Sequence, residues 1–292
     1  MDRRLLELDL KTSLTALADL ALPRDCIVCG RPLALCEKHL CIPCLADLPE
    51  THFAAMRINP MADSFNELIQ RRIDAGEAVP EPYCYASALY YYRSASGEYP
   101  ERDYSKISQA LKYERDLRAG RYFAGMLGRR LASSELYSDV DLVVPVPLHW
   151  TRRRSRGYNQ AAVIAGVVAK ELGCDCDSRF LVRRRRTRSQ AHMDISAKAL
   201  NVAGAFQVRS GLRKRLLLNP LHPLLGGFEP TAVGPTGGLP VHEPARMPGH
   251  VLLIDDVYTT GATLASCHAA IREVFGPSTR VSIATLAYVE RR

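Results

Sequence analysis

VLLIDDVYTTGAT, residues 251–263, decides how this chain is to be read. Four aliphatic residues run into two adjacent carboxylates, Asp255 and Asp256, and then into a loop of threonines around one glycine. An uninterrupted apolar run marks a strand buried on both faces, as in a parallel sheet covered by helices. The next segment, TLASCHAAIREVF at 263–275, is helical. Leu264, Cys267 or His268, Ile271, Val274 and Phe275 share one face, and Gly276–Pro277 ends it. VSIATLAYV at 281–289 is a further strand. The same alternation occurs upstream: DLVVPVPL at 141–148 is an apolar strand, and AAVIAGVVAKELG at 161–173 is a helix closed by Gly173. FLV at 180–182 and GAFQV at 204–208 add shorter strands. Together these predict an α/β fold with a parallel, doubly wound sheet flanked by helices.

Composition sets the outer bounds. The chain has 292 residues, 47% of them hydrophobic and 24% charged, enough for a sizeable core in one or two domains. Its net charge of +8 suits nucleic acid, phosphorylated ligands or anionic surfaces without choosing among them. Residues 1–22 carry a leucine-rich amphipathic helix, but Asp2, Glu7, Asp9, Lys11 and Asp19 interrupt it, so no targeting or membrane segment is read there. The expectation is a cytoplasmic protein without membrane insertion, in which nine cysteines serve as metal ligands or thiols rather than as disulfides. FNELIQRRIDAG, ending at Gly76, is read as a helix, and the tyrosine-rich YCYASALYYY at 83–92 as one or two strands. ISQALKY and RAGRYFAGMLGRRLA are two further helices. Residues 209–249 hold seven prolines and read as an irregular insertion. Residues 1–50 are then an N-terminal helix and a zinc-binding module, and residues 51–292 the α/β domain.

The zinc reading comes from spacing. Cys26-x2-Cys29 and Cys41-x2-Cys44, with eleven residues between, are two knuckles that offer four thiolates to a tetrahedral ion. Four thiolates leave no open position, so the role is structural. Cys36 and His39 lie between the pairs, and either can replace a ligand or both can stand spare.

The carboxylates lie where open α/β sheets bind ligands, at the carboxyl end of a strand. The N–H groups at the start of the following helix favour phosphate. Gly261 admits close backbone approach, and Thr259, Thr260 and Thr263 add hydroxyl donors. Carboxylates facing that phosphate would repel it, so they need another target on the same ligand. A sugar diol is such a target, and ribose 5-phosphate has this layout. The alternative is two solvated aspartates ahead of a helix cap.

The stretch resembles the phosphoribosyl-pyrophosphate motif of type I phosphoribosyltransferases. PVPLHWTRRRSRGYNQ at 145–160, RRTRSQ at 185–190, NVAGAF at 201–206 and the cysteine pairs narrow the resemblance to the ComF family of competence proteins. That resemblance implies a type I phosphoribosyltransferase-like sheet. It gives Asp255 and Asp256 the ribose hydroxyls, and it gives the loop Thr259, Thr260, Gly261, Ala262 and Thr263 the 5-phosphate. Arg152, Arg153 and Arg156 would take the pyrophosphate, with Mg²⁺ arriving on it, and Lys112 in ALKY matches a family lysine that can reach the site or stay at the surface. The implied chemistry is displacement of pyrophosphate from ribose C1 by a nitrogen nucleophile. The implied setting is DNA uptake, with single-stranded DNA and other competence proteins as partners.

Alternatives remain at the arginines. TRRRSRGYNQ at 151–160 is also what a solvated basic turn or a nucleic-acid patch looks like. The run RRRRTRSQAH at 183–192 fits either a loop closing over the site or a nucleic-acid patch, and Lys198 stands where the family usually has arginine. Tyr83, Tyr85, Tyr90, Tyr91 and Tyr92 either stack bases or pack on the sheet.

Overall fold

The computed structural model describes residues 24–93, 101–114, 116–148, 157–183, 204–209 and 248–290. The strands are β1 (Ala86–Tyr91), β2 (Leu142–Pro145), β3 (Asp175–Cys176), β4 (Leu181–Arg183), β5 (Phe206–Val208), β6 (His250–Tyr258) and β7 (Arg280–Tyr288). Five of them form one sheet in the order β1-β7-β6-β2-β3, and every neighbouring pair is parallel. β3 is a two-residue edge strand in the Cys174–Cys176 segment, too short and too polar to be announced by its sequence.

FLV and GAFQV do not join that sheet. They become β4 and β5, an antiparallel two-stranded ribbon. Each is only three residues long. Phe180, Leu181, Phe206 and Val208 bury against the sheet's helical cover, with the Phe180 and Phe275 rings 5.6 Å apart.

The helices are α1 (Ile42–Ala46), α2 (Pro60–Asp74), α3 (Ser105–Gln109), α4 (Leu117–Ala132), α5 (Gln160–Leu172) and α6 (Ala262–Arg272). α2 begins earlier than its apolar period suggests. Asn59 caps it, accepting from the Ala62 N–H at 2.9 Å, and Pro60 stands at its first position. α5 closes at Gly173 as expected, with φ at 70°. α3 runs directly into a π turn over Ala110–Glu114.

Two hydrophobic clusters cover the two faces of the sheet. Leu252 and Ile254 of β6 join one cluster, with α3, α4 and α5. Val251 and Leu253 join the other, with α2, α6 and the ribbon. The helix after β2 therefore lies on one face and the helix after β6 on the opposite face. Because β2 and β6 are neighbours and the helices that follow them lie on opposite faces, their carboxyl ends form a strand switch, the place where open α/β sheets hold a ligand crevice.

Several expectations fall outside the described residues: the leucine-rich stretch in 1–22, the loop arginines Arg152, Arg153, Arg154 and Arg156, all of the 183–192 run except Arg183, Lys198, and the 209–249 insertion except Arg209, Pro248 and Gly249. Among the described residues, no helix is long and apolar enough to cross a membrane.

Candidate functional site

The crevice starts where β2 leaves the sheet. β2 pairs with β6 only as far as Pro145 opposite Ile254, and Val146 makes the last bond, its N–H to the Ile254 carbonyl at 2.8 Å. On its other side β6 stays paired with β7 through Tyr258. Asp255 and Asp256 therefore stand on a piece of β6 beyond its last pairing with β2 among the described residues. Residues 157–159 lie beside the same edge. Gly157 has φ at 81°, Asn159 donates to the Val146 carbonyl at 3.0 Å, and the Tyr158 hydroxyl donates to the Leu111 carbonyl in the π turn.

Adjacent strand residues point to opposite faces, so the two carboxylates straddle the end of β6. Asp256 faces the π turn that follows α3, where the Lys112 ammonium lies 3.2 Å from its Oδ2. Both side chains are partly sheltered, 24% and 15% exposed, so this pair is more than a transient surface contact. Asp255 faces α6 and the ribbon, within electrostatic range of Arg183 and Cys267. Burial first, and the Asp256 charge second, push the Asp255 carboxyl up to about 7. The Asp256 N–H, donating to Asp255 Oδ1 at 2.9 Å, together with Lys112 and Arg183, opposes that rise without cancelling it. One carboxyl of the pair therefore titrates near neutrality, which lowers the negative charge an approaching anion meets.

After Tyr258 the chain turns through Thr259, which is exposed, and the partly buried Thr260 into Gly261, which caps α6 with φ at 74°. The glycine is needed twice over. The left-handed conformation disfavours a side chain, and a Cβ there would lie 2.9 Å from the Tyr258 ring carbon Cζ and 3.0 Å from Leu68 Cδ1. The tight turn brings the start of α6 beside the carboxylates. Ala262 is buried and Thr263 half-buried in its first turn, Gly261 carries no capping side chain, and the Ala262 N–H reaches Thr260 Oγ1 at 3.5 Å.

The structure thus gathers Asp255, Asp256, Lys112 and the 259–263 loop at one end of the sheet. Arg183 was concealed in the sequence as one member of a basic run. Its distinguishing signal is its place as the last residue of a short strand, where its guanidinium lies 5.1 Å over the Phe206 ring. The tyrosines of 83–92 mostly pack. Tyr90 is buried, its hydroxyl 2.9 Å from Ser108, and Tyr91 meets Phe53 and Tyr288 edge to face.

The second feature is the cysteine gathering. Cys26, Cys29, Cys41 and Cys44 place their sulfurs within 4.8 Å of one another, and Cys29 and Cys41 are 3.7 Å apart. A tetrahedral zinc site with Zn–S near 2.3 Å has S···S edges of about 3.8 Å, so the four can hold such an ion. The first knuckle turns through Gly30, with φ at 74°, and its N–H reaches the Cys26 carbonyl at 2.8 Å. The second pair lies at the start of α1, with Cys41 at its cap. Glu37 ties the intervening loop, accepting from Ala34 N at 2.7 Å and Ile42 N at 2.6 Å. Burial pushes the Cys26 thiol up, but backbone hydrogen bonds from Cys29, Cys41 and Val28 outweigh it and bring it down to about 7. Burial, then the neighbouring thiols, push Cys44 up. A divalent cation supplies the charge that lets all four ionise together. Cys36 is exposed and His39 lies against Tyr122, and neither joins the gathering.

No family model matches the chain. Over 126 residues it is 30% identical to the DNA utilization protein YhgH of Salmonella typhi and to that of Salmonella typhimurium, a match covering 43% of this chain and 40% of each relative. The DNA utilization protein YhgH of Escherichia coli K12 is 25% identical over 125 residues, with the same shares covered. The match therefore spans about two fifths of the length of these relatives.

Proposed function

We propose that this protein serves in DNA utilization and that the β2–β6 crevice binds phosphoribosyl pyrophosphate with Mg²⁺. One observation carries the ligand reading: a carboxylate pair with a lysine against it stands directly ahead of a glycine-capped helix start, at a strand switch. Asp255 and Asp256 accept from the ribose hydroxyls. Thr259, Thr260, Gly261, Ala262 and Thr263 receive the 5-phosphate through hydroxyls and N–H groups. Arg152, Arg153 and Arg156, with Lys112, neutralise the pyrophosphate. Mg²⁺ enters on the pyrophosphate, because this ion is commonly held by substrate phosphates rather than by a protein cage. The sheet is then a type I phosphoribosyltransferase-like one, zinc in the four cysteines is structural, and the protein acts in the cytoplasm on single-stranded DNA. The relatives' printed name supports the DNA side of this reading.

A second reading is transfer of the phosphoribosyl group to a nitrogen acceptor. The position of Asp255 near 7 favours it, since a carboxylate there can take a proton at neutral pH. The C1–N bond would form as the C1–O bond breaks, with the bonding pair leaving on pyrophosphate.

Calorimetric titration of phosphoribosyl pyrophosphate with Mg²⁺ into zinc-loaded protein tests the binding. Heat in the wild type that is lost in Asp255→Asn/Asp256→Asn supports it, and no heat in folded wild type refutes it. Single-stranded DNA binding measured against salt tests the other half. A steep loss of affinity with salt, unchanged by the aspartate substitutions, separates the DNA surface from the crevice.

A further inference from the structure

We infer that the four-cysteine module is a positioning device for the crevice: it fixes the start of α3 so that the π turn holds Lys112 against Asp256. The contacts form a continuous path. Val28 lies between Cys26 and Cys29, and its carbonyl accepts from the Asp103 N–H and from Lys106 Nζ, each at 3.3 Å. The carbonyl of Cys44, one of the four gathered cysteines, accepts from the Tyr104 hydroxyl at 3.1 Å. Arg102 pairs with Asp47 just beyond α1. Val28, Leu40, Cys41 and Cys44 share one hydrophobic cluster with Tyr104, Ile107 and Leu111, so the module and this helix are packed as one body.

Residues 103–106 are therefore held by the backbone of the metal-ligand segments. Six residues after Lys106, the same helix delivers Lys112 to within 3.2 Å of Asp256. The helix widens into a π turn over that interval, a rare local form often found at functional sites. Tyr158 grips the turn from the other side through the Leu111 carbonyl. A short helix with one end fixed on each side has little freedom to carry its lysine away. Tyr104 and Lys106 are positioning residues, acting on the crevice only through Lys112.

The inference rests on the Asp255–Asp256 crevice but not on any ligand, so its test needs none. Among the described residues, the groups facing the pair are Lys112 and Tyr90 on one side and Arg183 and Cys267 on the other. In zinc-loaded full-length protein, the carboxyl ¹³C signal of Asp255, assigned with Asp255→Asn, gives its titration midpoint. Lys112→Met removes a nearby cation and raises that midpoint by roughly half a unit or more. Tyr104→Phe/Lys106→Met raises it in the same direction, and adds nothing in the Lys112→Met background. Lys106→Met alone, which leaves the Tyr104 bond intact, gives a smaller rise and serves if the double variant does not fold. An unchanged midpoint in the folded anchor variants, or full additivity with Lys112→Met, overturns the inference. Failure of phosphoribosyl pyrophosphate to bind would leave this result untouched, and the reverse also holds.

Discussion

Asp255→Asn should stabilise the protein at the pH where it disables the crevice. In the fold, burial and the neighbouring Asp256 charge hold the Asp255 carboxyl near 7, whereas in the unfolded chain it titrates near 3.9. The folded state therefore binds the extra proton between those values, and stability falls as pH rises from about 4 to about 7, then stays level. A rise of roughly three units at 1.36 kcal/mol each sets a ceiling of about 4 kcal/mol. Solvent reaches part of the side chain and the site is shared with Asp256, so about 2 kcal/mol is the working figure. Asparagine keeps the size and can still accept the Asp256 N–H, but never ionises. The variant should match the wild type at pH 4 and exceed it by about 2 kcal/mol at pH 8, on the order of 4 °C in Tm. Urea unfolding of both proteins at the two pH values measures the difference, and the other carboxylates cancel between them. A gain that does not grow with pH, or a loss at pH 8, would refute the burial argument.

Other outcomes follow from particular contacts. Gly261→Ala forces a side chain into a left-handed position and against Tyr258 and Leu68, so thermal unfolding should show a loss of about 2 kcal/mol. Cys44→Ser should lose the bound zinc measured by mass spectrometry under native conditions and lower stability, whereas Cys36→Ser, at an exposed position outside the gathering, should lose neither. Glu81 is buried between His268 Nε2 at 3.0 Å and Arg272 Nε at 2.6 Å. Glu81→Ala takes away the carboxylate paired with Arg272, which keeps the Gly276 and Thr279 carbonyls, and should lower stability by about 2 kcal/mol in urea unfolding, with Glu81→Gln milder.

Local chemistry reaches the reader of the sequence because its period is local. The apolar run of 251–254 had to be a covered strand, Gly173 and Gly76 mark helix ends by backbone freedom, and two Cys-x2-Cys pairs converge because a knuckle is a short-range turn. FLV and GAFQV misled for a related reason: three apolar residues carry no information about which sheet they join, and tertiary packing placed them in a ribbon.

The sequence by itself determined that a strand, two carboxylates, a threonine–glycine loop and a helix succeed one another, and that four thiols stand at metal-binding spacing. Only the tertiary structure decided that Asp255 and Asp256 straddle the end of β6, that Lys112 answers one and Arg183 the other, and that the cysteine module holds the helix bearing that lysine. Those facts depend on strand order and on which face each crossover helix covers. Both are set by the burial of two separate clusters against one sheet, a balance over the whole chain that no short stretch contains.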